Sequence, residues 1–381
     1  MKRLIVIILI FAMTLALTAC RGSVDPIVDP TAAPTENTTE APTEAPTETP
    51  TPEPTEEPTP EPTEAPEGDY VFCDPEAPAD LPDEAVFTVL LRGAYGDGEA
   101  EFGCDNYGET DGPNDFFIED GKVVILDTMH KLVKVFEDGA LIRTIDVSDV
   151  TYPFSMERFG DSLYVYNTFM IEYVCEYDWE TGEFIRSFRP PEGIETNYYA
   201  DALYVKGGGL CLMQGPGKFR NVFDPEAPEI CEINVERIID PEDDDPDYNY
   251  VGFTFTTEFG GGELLTGKRG SYEYIGLDGD GNAYFIVCWN VPDSGPYAFS
   301  FEKTLQKFSP EGKLIGIAEQ HYHVVDHSPT REFRITEDGR IFQMTCIDGE
   351  LIVAEIQLGR VYKLRTEEIR QYKLDRAQSE N

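Results

Sequence analysis

The 381 residues include 73 Asp and Glu against 29 Lys and Arg, a formal charge of −44, with 41% hydrophobic and 12% aromatic side chains. Clustered cations are what neutralise a phosphate backbone, so a chain this acidic is not a nucleic-acid binder, and direct contact with anionic lipid is disfavoured. HExxH, GxSxG, Walker A and strand-linked GxGxxG motifs are missing, and the eight cysteines make no CxxC pair, which sets aside the commonest zinc, hydrolase and nucleotide chemistries.

The chain opens MKRLIVIILIFAMTLALTAC. Lys2 and Arg3 precede an apolar run from Leu4 to Leu17 and then small residues, the layout of a secretory signal. The run falls short of the roughly 20 apolar residues that cross a bilayer, and Arg21 follows at once. Leu17-Thr18-Ala19-Cys20 resembles a bacterial lipobox. The resemblance implies a signal peptide over 1–19, cleavage before Cys20 and a diacylglycerol on its thiol. Two acyl chains hold a protein stably where one does not. The expected location is therefore the extracellular face of a bacterial cell membrane, with the lipid anchor as the only membrane contact.

Residues 20–69 are dominated by Pro, Thr and Glu, as in TEAPTEAPTETPTPEPTEEPTPEPTEAPEGD. Without large apolar side chains such a segment cannot offset the entropy of ordering. Frequent Pro and like-charged Glu extend it, so a disordered stalk is expected.

Roughly 310 residues remain, more than the usual single domain, although all-β folds run longer as one unit. Four segments share one order. FFIEDGKVVILDTMHKLVKVFEDGALIRTI begins at Phe116, MERFGDSLYVYNTFMIEYVCEYDWETGEFIRSF at Met156, a third at Tyr274 and a fourth at Phe333. Weaker copies are YYADALYVKGGGLCLMQGPGKF with EICEINV, and YVGFTFTTEFGGGELLTG. Short β-branched and aromatic runs bounded by DG, GD and GN pairs are antiparallel strands joined by hairpins. No stretch between Tyr70 and Gly359 carries a helical period. The fold class expected is all-β: a six-bladed β-propeller of four-stranded antiparallel blades over 70–362, followed by a C-terminal tail over 363–381. The last copy stops one strand short, while AVFTVLL at 85–91 has no partner before the first full copy. Pairing the two would close the ring.

The segment GDGEAEFGCDNYGETDGPNDFFIEDGKVVILDTMHKLVKVFEDGALIRTI resembles the entry to NHL-type six-bladed propellers. Asp127-Thr128-Met129-His130-Lys131 stands where that family has a D-x-x-N-x-R/K-I/V turn, with His130 in place of Asn and Leu132 in place of Arg or Ile. The likeness covers roughly 86–358 and implies a fold; scaffolds, recognition modules and enzymes share it.

Three stretches offer chemistry. HYHVVDH places His321, His323 and His327 beside Asp326, and paired imidazoles with a carboxylate suit a divalent metal such as Zn, Cu or Ni; a solvated strand end explains them equally. LDGDGNAY sets Asp278, Asp280 and Asn282 at alternate positions but has Ala283 and Trp289 where a calcium loop needs Gly and Glu, so a hairpin turn is expected. DPEDDDPDYNY from Asp240 is an acidic loop, and such runs are usually solvated. Tyr198, Tyr199, Tyr248 and Tyr250 could stack on sugars or pack as strand tyrosines. Cys175, Cys211, Cys288 and Cys346 read as small buried hydrophobes, whereas Cys73 and Cys104 form the one loop-to-loop pair worth testing for a disulfide. The function expected is a monomeric, non-enzymatic surface module that binds extracellular protein, peptide or glycan. The alternative is a metal-dependent hydrolase or lactonase, of the kind six-bladed propellers host, with a cation in the central channel.

Overall fold

The computed structural model describes residues 70–104, 112–168, 172–191, 202–239, 250–266, 270–290, 301–320, 325–327, 329–347 and 349–364. Among them every regular element is a strand. The first sheet shows how sequence dictates shape. Its strands are Asp115–Glu119, Lys122–Asp127, Leu132–Glu137 and Ala140–Asp146, paired in that order. The two EDG stretches are its hairpins: Asp120 and Gly121 have φ of 48° and 77°, Asp138 and Gly139 have 49° and 77°. Positive φ at both central residues is the type I′ turn, whose twist matches that of the strands it joins.

Five further sheets follow in chain order, giving a six-bladed β-propeller. The second runs from Pro153–Phe159 to Phe184–Phe188 and the third from Leu203–Lys206 to Ile230–Cys231, each four-stranded. The fourth, the least marked in sequence, shows three strands among the described residues, Asn234–Ile239, Tyr250–Thr256 and Gly261–Leu265. The fifth, from Ser271–Leu277 to Leu314–Glu319, again has four.

The central strands are apolar on both faces because each sheet is a wall between two neighbours. In Lys122–Asp127, Val123 and Ile125 pack with Phe342, Met344 and Val353 of the sixth sheet. Their alternates Val124 and Leu126 pack with Met156, Leu163 and Val165 of the second. Tyr166 and Val174 of the second sheet meet Leu203 and Leu212 of the third. Phe253 and Phe255 of the fourth meet Phe285 and Phe308 of the fifth. Ile286 and Leu305 of the fifth meet Ile341 and Ile356 of the sixth. A polar tie supplements these at the third sheet: Glu232 lies 2.6 Å from Lys206 Nζ and accepts a hydrogen bond from Tyr274 of the fifth sheet at 2.8 Å.

The sixth sheet closes the ring. Ile341–Ile347 and Glu350–Gln357 are joined on the outside by Val86–Ala94, from Val86 opposite Gln357 to Ala94 opposite Glu350. A bulge between Val89 and Leu91 breaks the alternation. Phe87 therefore points toward the fifth sheet and Leu91 toward the first, which a regular strand could not do. Tyr70–Phe72 also pairs with Val361–Lys363, so the two ends of the described chain meet.

The inner edge of this sheet is interrupted. Val325–His327 pairs with Cys346 and Ile347, and Phe333–Ile335 pairs with Ile341 to Gln343. Between them Arg331 and Glu332 leave the ladder, with Met344 N–H donating to Glu332 O at 2.8 Å and Arg331 N–H donating to Asn114 O at 3.1 Å. Cys175, Cys211, Cys288 and Cys346 are buried, and Cys73 and Cys104 form no disulfide with one another. Cys73 instead donates to the Gly359 carbonyl at 3.6 Å, which fixes it against the closing segment.

Leu91 is 2% exposed at the closing joint. Leu91→Ala should lower unfolding stability by about 2–5 kcal/mol, read from the midpoint of denaturant unfolding. An unchanged midpoint would mean that the N-terminal strand contributes nothing to closure.

Candidate functional site at the ring centre

Inner strands leave their neighbours' apolar cover as the sheets converge on the axis, and polar side chains gather there. Asp115 sits at the head of the first inner strand. Its Oδ2 accepts hydrogen bonds from Ser155 Oγ at 2.8 Å and Met156 N–H at 2.9 Å, and its Oδ1 lies 3.0 Å from Arg334 Nη2. Glu157 Oε2 accepts from Arg331 Nη1 at 3.0 Å and Arg334 Nη1 at 2.6 Å. Arg334 also donates from Nε to the Phe116 carbonyl at 2.6 Å, and Arg331 donates to the Leu203 carbonyl. The Arg331 guanidinium stacks 3.9 Å from the Tyr204 ring centre. Burial opposes its charge, but Asp115, Tyr204 and Glu157 around it hold its pKa above the ordinary arginine value.

Two cations and two carboxylates thus pin the first, second, third and sixth sheets to one another. The charges balance, while the buried Arg331 Nε, 3.9 Å from Asp115 Oδ1, makes no hydrogen bond. Such a network contributes little net stability, yet fixes which sheets meet and in what register. This clasp is a frame.

Beside it lies a second group with different chemistry. Glu332 accepts from Gln320 Nε2 at 2.6 Å on one oxygen and from Gln343 Nε2 at 2.7 Å on the other. Burial pushes its carboxyl up to about 6, the nearby Glu273 adding to this and Lys303 opposing it. Glu273 projects from the fifth sheet's inner strand. Solvent reaches it, yet protein surrounds it, and that burial raises its pKa too, against the pull of Lys303. Cys288 lies opposite Lys303 on the adjoining strand. Burial raises its thiol pKa. Gln320 is 3% exposed, and its Oε1 has no hydrogen-bond partner.

Gln343 also lines a cavity on its own face of the sixth sheet. That cavity, of about 240 Å³, is lined by Phe87, Val89, Gln343, Thr345, Ile352 and Ala354. Gln343 thus has one face in the cavity wall and its amide on Glu332.

The residues singled out in sequence fare differently. His321 and His323 lie outside the described residues, as do the acidic loop from Asp240 and Tyr198, Tyr199 and Tyr248. Asp326 and His327 fall in Val325–His327, His327 opposite Cys346, their side chains outside the description. Asp278 is a turn anchor. It accepts from Asn282 N–H at 2.9 Å and Tyr284 Oη at 2.8 Å, with Lys307 Nζ at 3.1 Å. Burial works against its charge, but these donors hold its carboxyl below the ordinary range. Asp127 plays the same part in the first sheet, 2.9 Å from His130 Nδ1 and 2.9 Å from the buried Lys134.

Sequence reading passed over Asp115, Glu157, Glu273, Arg331, Glu332 and Arg334. The signal available was a charge set inside the first strand of successive copies, as in DFFIE, PFSMERF, SYEYIGL and FRI.

No protein-family model and no curated protein sequence matches the chain. Among solved structures it is similar to the WD40 domain of Pan2 from Neurospora crassa, with a TM-score of 0.36 and 11% identity over 75% of this chain and 95% of that one. BamB from Moraxella catarrhalis gives 0.30 and 11% over 71% and 97%. The C-terminal WD40 domain of Sif2 gives 0.37 and 7% over 64% and 81%. At this level these are likenesses of fold and carry nothing about ligands.

Because the folded Glu332 titrates near 6 rather than at its ordinary 4.5, its neutral form is the one the fold favours. Its contribution to stability is complete below pH 4.5 and is lost as pH rises through 6. Glu332→Gln should abolish that slope and raise stability at pH 7.5 by on the order of 2 kcal/mol. Denaturant unfolding at pH 4.5 and 7.5 reads both effects, and a variant less stable than the parent at pH 7.5 would refute the assignment.

Proposed function

We propose that the chain is a cell-surface lipoprotein whose propeller binds extracellular protein, peptide or glycan. The observation that carries the binding role is the recess at the ring centre. Glu273 is exposed on the fifth sheet's inner strand and Glu332 is half-buried just before Phe333–Ile335, beside a clasp whose charges balance. Polar groups preorganised on a rigid frame are how small recognition sites are built.

The N-terminal residues supply the delivery. A signal over 1–19, acylation at Cys20 and a Pro/Thr/Glu stalk over 20–69 would present a propeller over 70–362 away from the membrane, with 363–381 as a tail. The pairing of Tyr70–Phe72 with Val361–Lys363 suits a domain tethered from one end. The Asp127–His130 turn supports placing the ring among NHL-type propellers.

Anchoring is tested by Cys20→Ser: the wild-type protein should partition with membranes, and the variant should appear in the soluble extracellular fraction. A variant that stays with the membrane would remove the lipid anchor from the reading. Recognition is tested by presenting the full-length protein to peptide and glycan arrays. Ligands retained by the wild type should be lost by the Glu273→Gln, Glu332→Gln double variant; an identical pattern, or none for either, would overturn the binding role of the recess.

A further inference from the structure

None of the ring-centre residues lines a cavity of about 440 Å³ formed by the fifth and sixth sheets and the segment leading into the closing strand. That volume lies within the roughly 300–1,000 Å³ of small-molecule sites. Leu81, Ile315, Ile341, Ile356 and Leu358 give it aliphatic walls. Two cations also line it, Lys307 and Arg340, with one carboxylate, Glu355. Both Glu355 oxygens are taken by Arg340, from Nε at 2.8 Å and from Nη2 at 2.9 Å. Lys307 is held differently. Its Nζ lies 3.1 Å from Asp278 Oδ2 and 5.2 Å from the centre of the Tyr284 ring. An ammonium carries three donors and no acceptor, so one oxygen leaves two N–H groups to be met. The Asp278 oxygens are already occupied, accepting from Asp280 N–H, Asn282 N–H, Asn282 Nδ2 and Tyr284 Oη as well. Gly339, another lining residue, leaves the ammonium uncovered: a Cβ there would stand 3.6 Å from Lys307 Nζ.

The occupant must therefore offer acceptors and negative charge at one end and apolar surface over the rest. We infer that this cavity binds a small monocarboxylate with an aliphatic body, the carboxylate on Lys307 and the chain along Leu81, Ile315 and Leu358. The site is additional to the ring-centre recess and does not rest on it. Two carboxylate oxygens accept both remaining N–H groups, and such charge-assisted bonds are roughly twice as strong as neutral ones. An alcohol supplies an acceptor without the charge, and an amine brings a second cation against Lys307. A carboxylate with no body, such as acetate, leaves the aliphatic walls in water.

The test uses the full-length protein and hexanoate, followed by isothermal titration calorimetry at pH 7.5. Saturable binding is expected, with hexanol, hexylamine and acetate each at least about tenfold weaker, the loss of one good charged hydrogen bond or of the chain's burial. Lys307→Met should weaken hexanoate about tenfold or more while leaving hexanol unchanged. Thr88→Trp, at an exposed position on the cavity wall, should block hexanoate with Lys307 and Asp278 both in place, so the test does not hang on how well the Lys307 variant folds. No saturable heat, hexanol or hexylamine binding as tightly as hexanoate, or indifference to both variants would each overturn the inference. The Glu273→Gln, Glu332→Gln double variant should bind hexanoate as the wild type does, and a loss there would overturn the placement of the site. If hexanoate fails while array ligands still depend on Glu273 and Glu332, the carboxylate site falls and the binding role of the recess stands.

Discussion

A strand that is apolar on both faces needs a sheet on either side of it, and this requirement propagates through the whole molecule. Val123 and Ile125 face one way and Val124 and Leu126 the other, with none of the four more than 4% exposed. A row of such walls has no acceptable end, because each terminal wall would present a complete apolar face to water. Bending the row into a ring is the resolution, and it works only if the last wall is complete. The strand Val86–Ala94 completes it, and the bulge before Leu91 lets one strand serve both of its neighbours. The loose ends of the sequence and the continuous apolar runs are thus two consequences of one constraint.

Closure has a cost at the axis. Inner strands converge there, apolar packing gives out, and backbone and side-chain polar groups have to satisfy one another without abundant water. The molecule treats this in two ways. On the side of the first, second, third and sixth sheets, Arg331 and Arg334 balance the charges of Asp115 and Glu157, leaving only the Arg331 Nε donor without a hydrogen bond in that clasp. Toward the fifth sheet the matching stops short: Glu332 is held by two amides, Glu273 repels it, and Gln320 keeps an oxygen unused. A finished network rigidifies the frame, and an unfinished one invites a partner.

The interruption between Val325–His327 and Phe333–Ile335 produces both networks. Consecutive residues freed from the ladder turn opposite ways, Arg331 into the clasp and Glu332 into the recess. In the sequence these two appear as part of TREFR, a polar stretch like any strand end. HYHVVDH just before it draws the eye, since clustered imidazoles are conspicuous while a lone charge in an inner strand is not. Asp278 shows the opposite case: its alternating oxygens failed the calcium spacing on paper, and the fold spends them on Asn282, Tyr284 and Lys307.

The sequence by itself determined everything that depends on near neighbours. Hairpins follow from DG pairs, strands from runs of branched and aromatic residues, and walls buried on both sides from the absence of polar alternates in those runs. The repeat then implied a ring, and the unmatched strand its seam. Only the tertiary structure decided the site, because Asp115, Glu157, Glu273, Gln320 and Glu332 come from different strands and links and meet only where the sheets converge. Periodicity reports which way a side chain points from its own strand; what it meets there is set by the angle at which the next wall arrives.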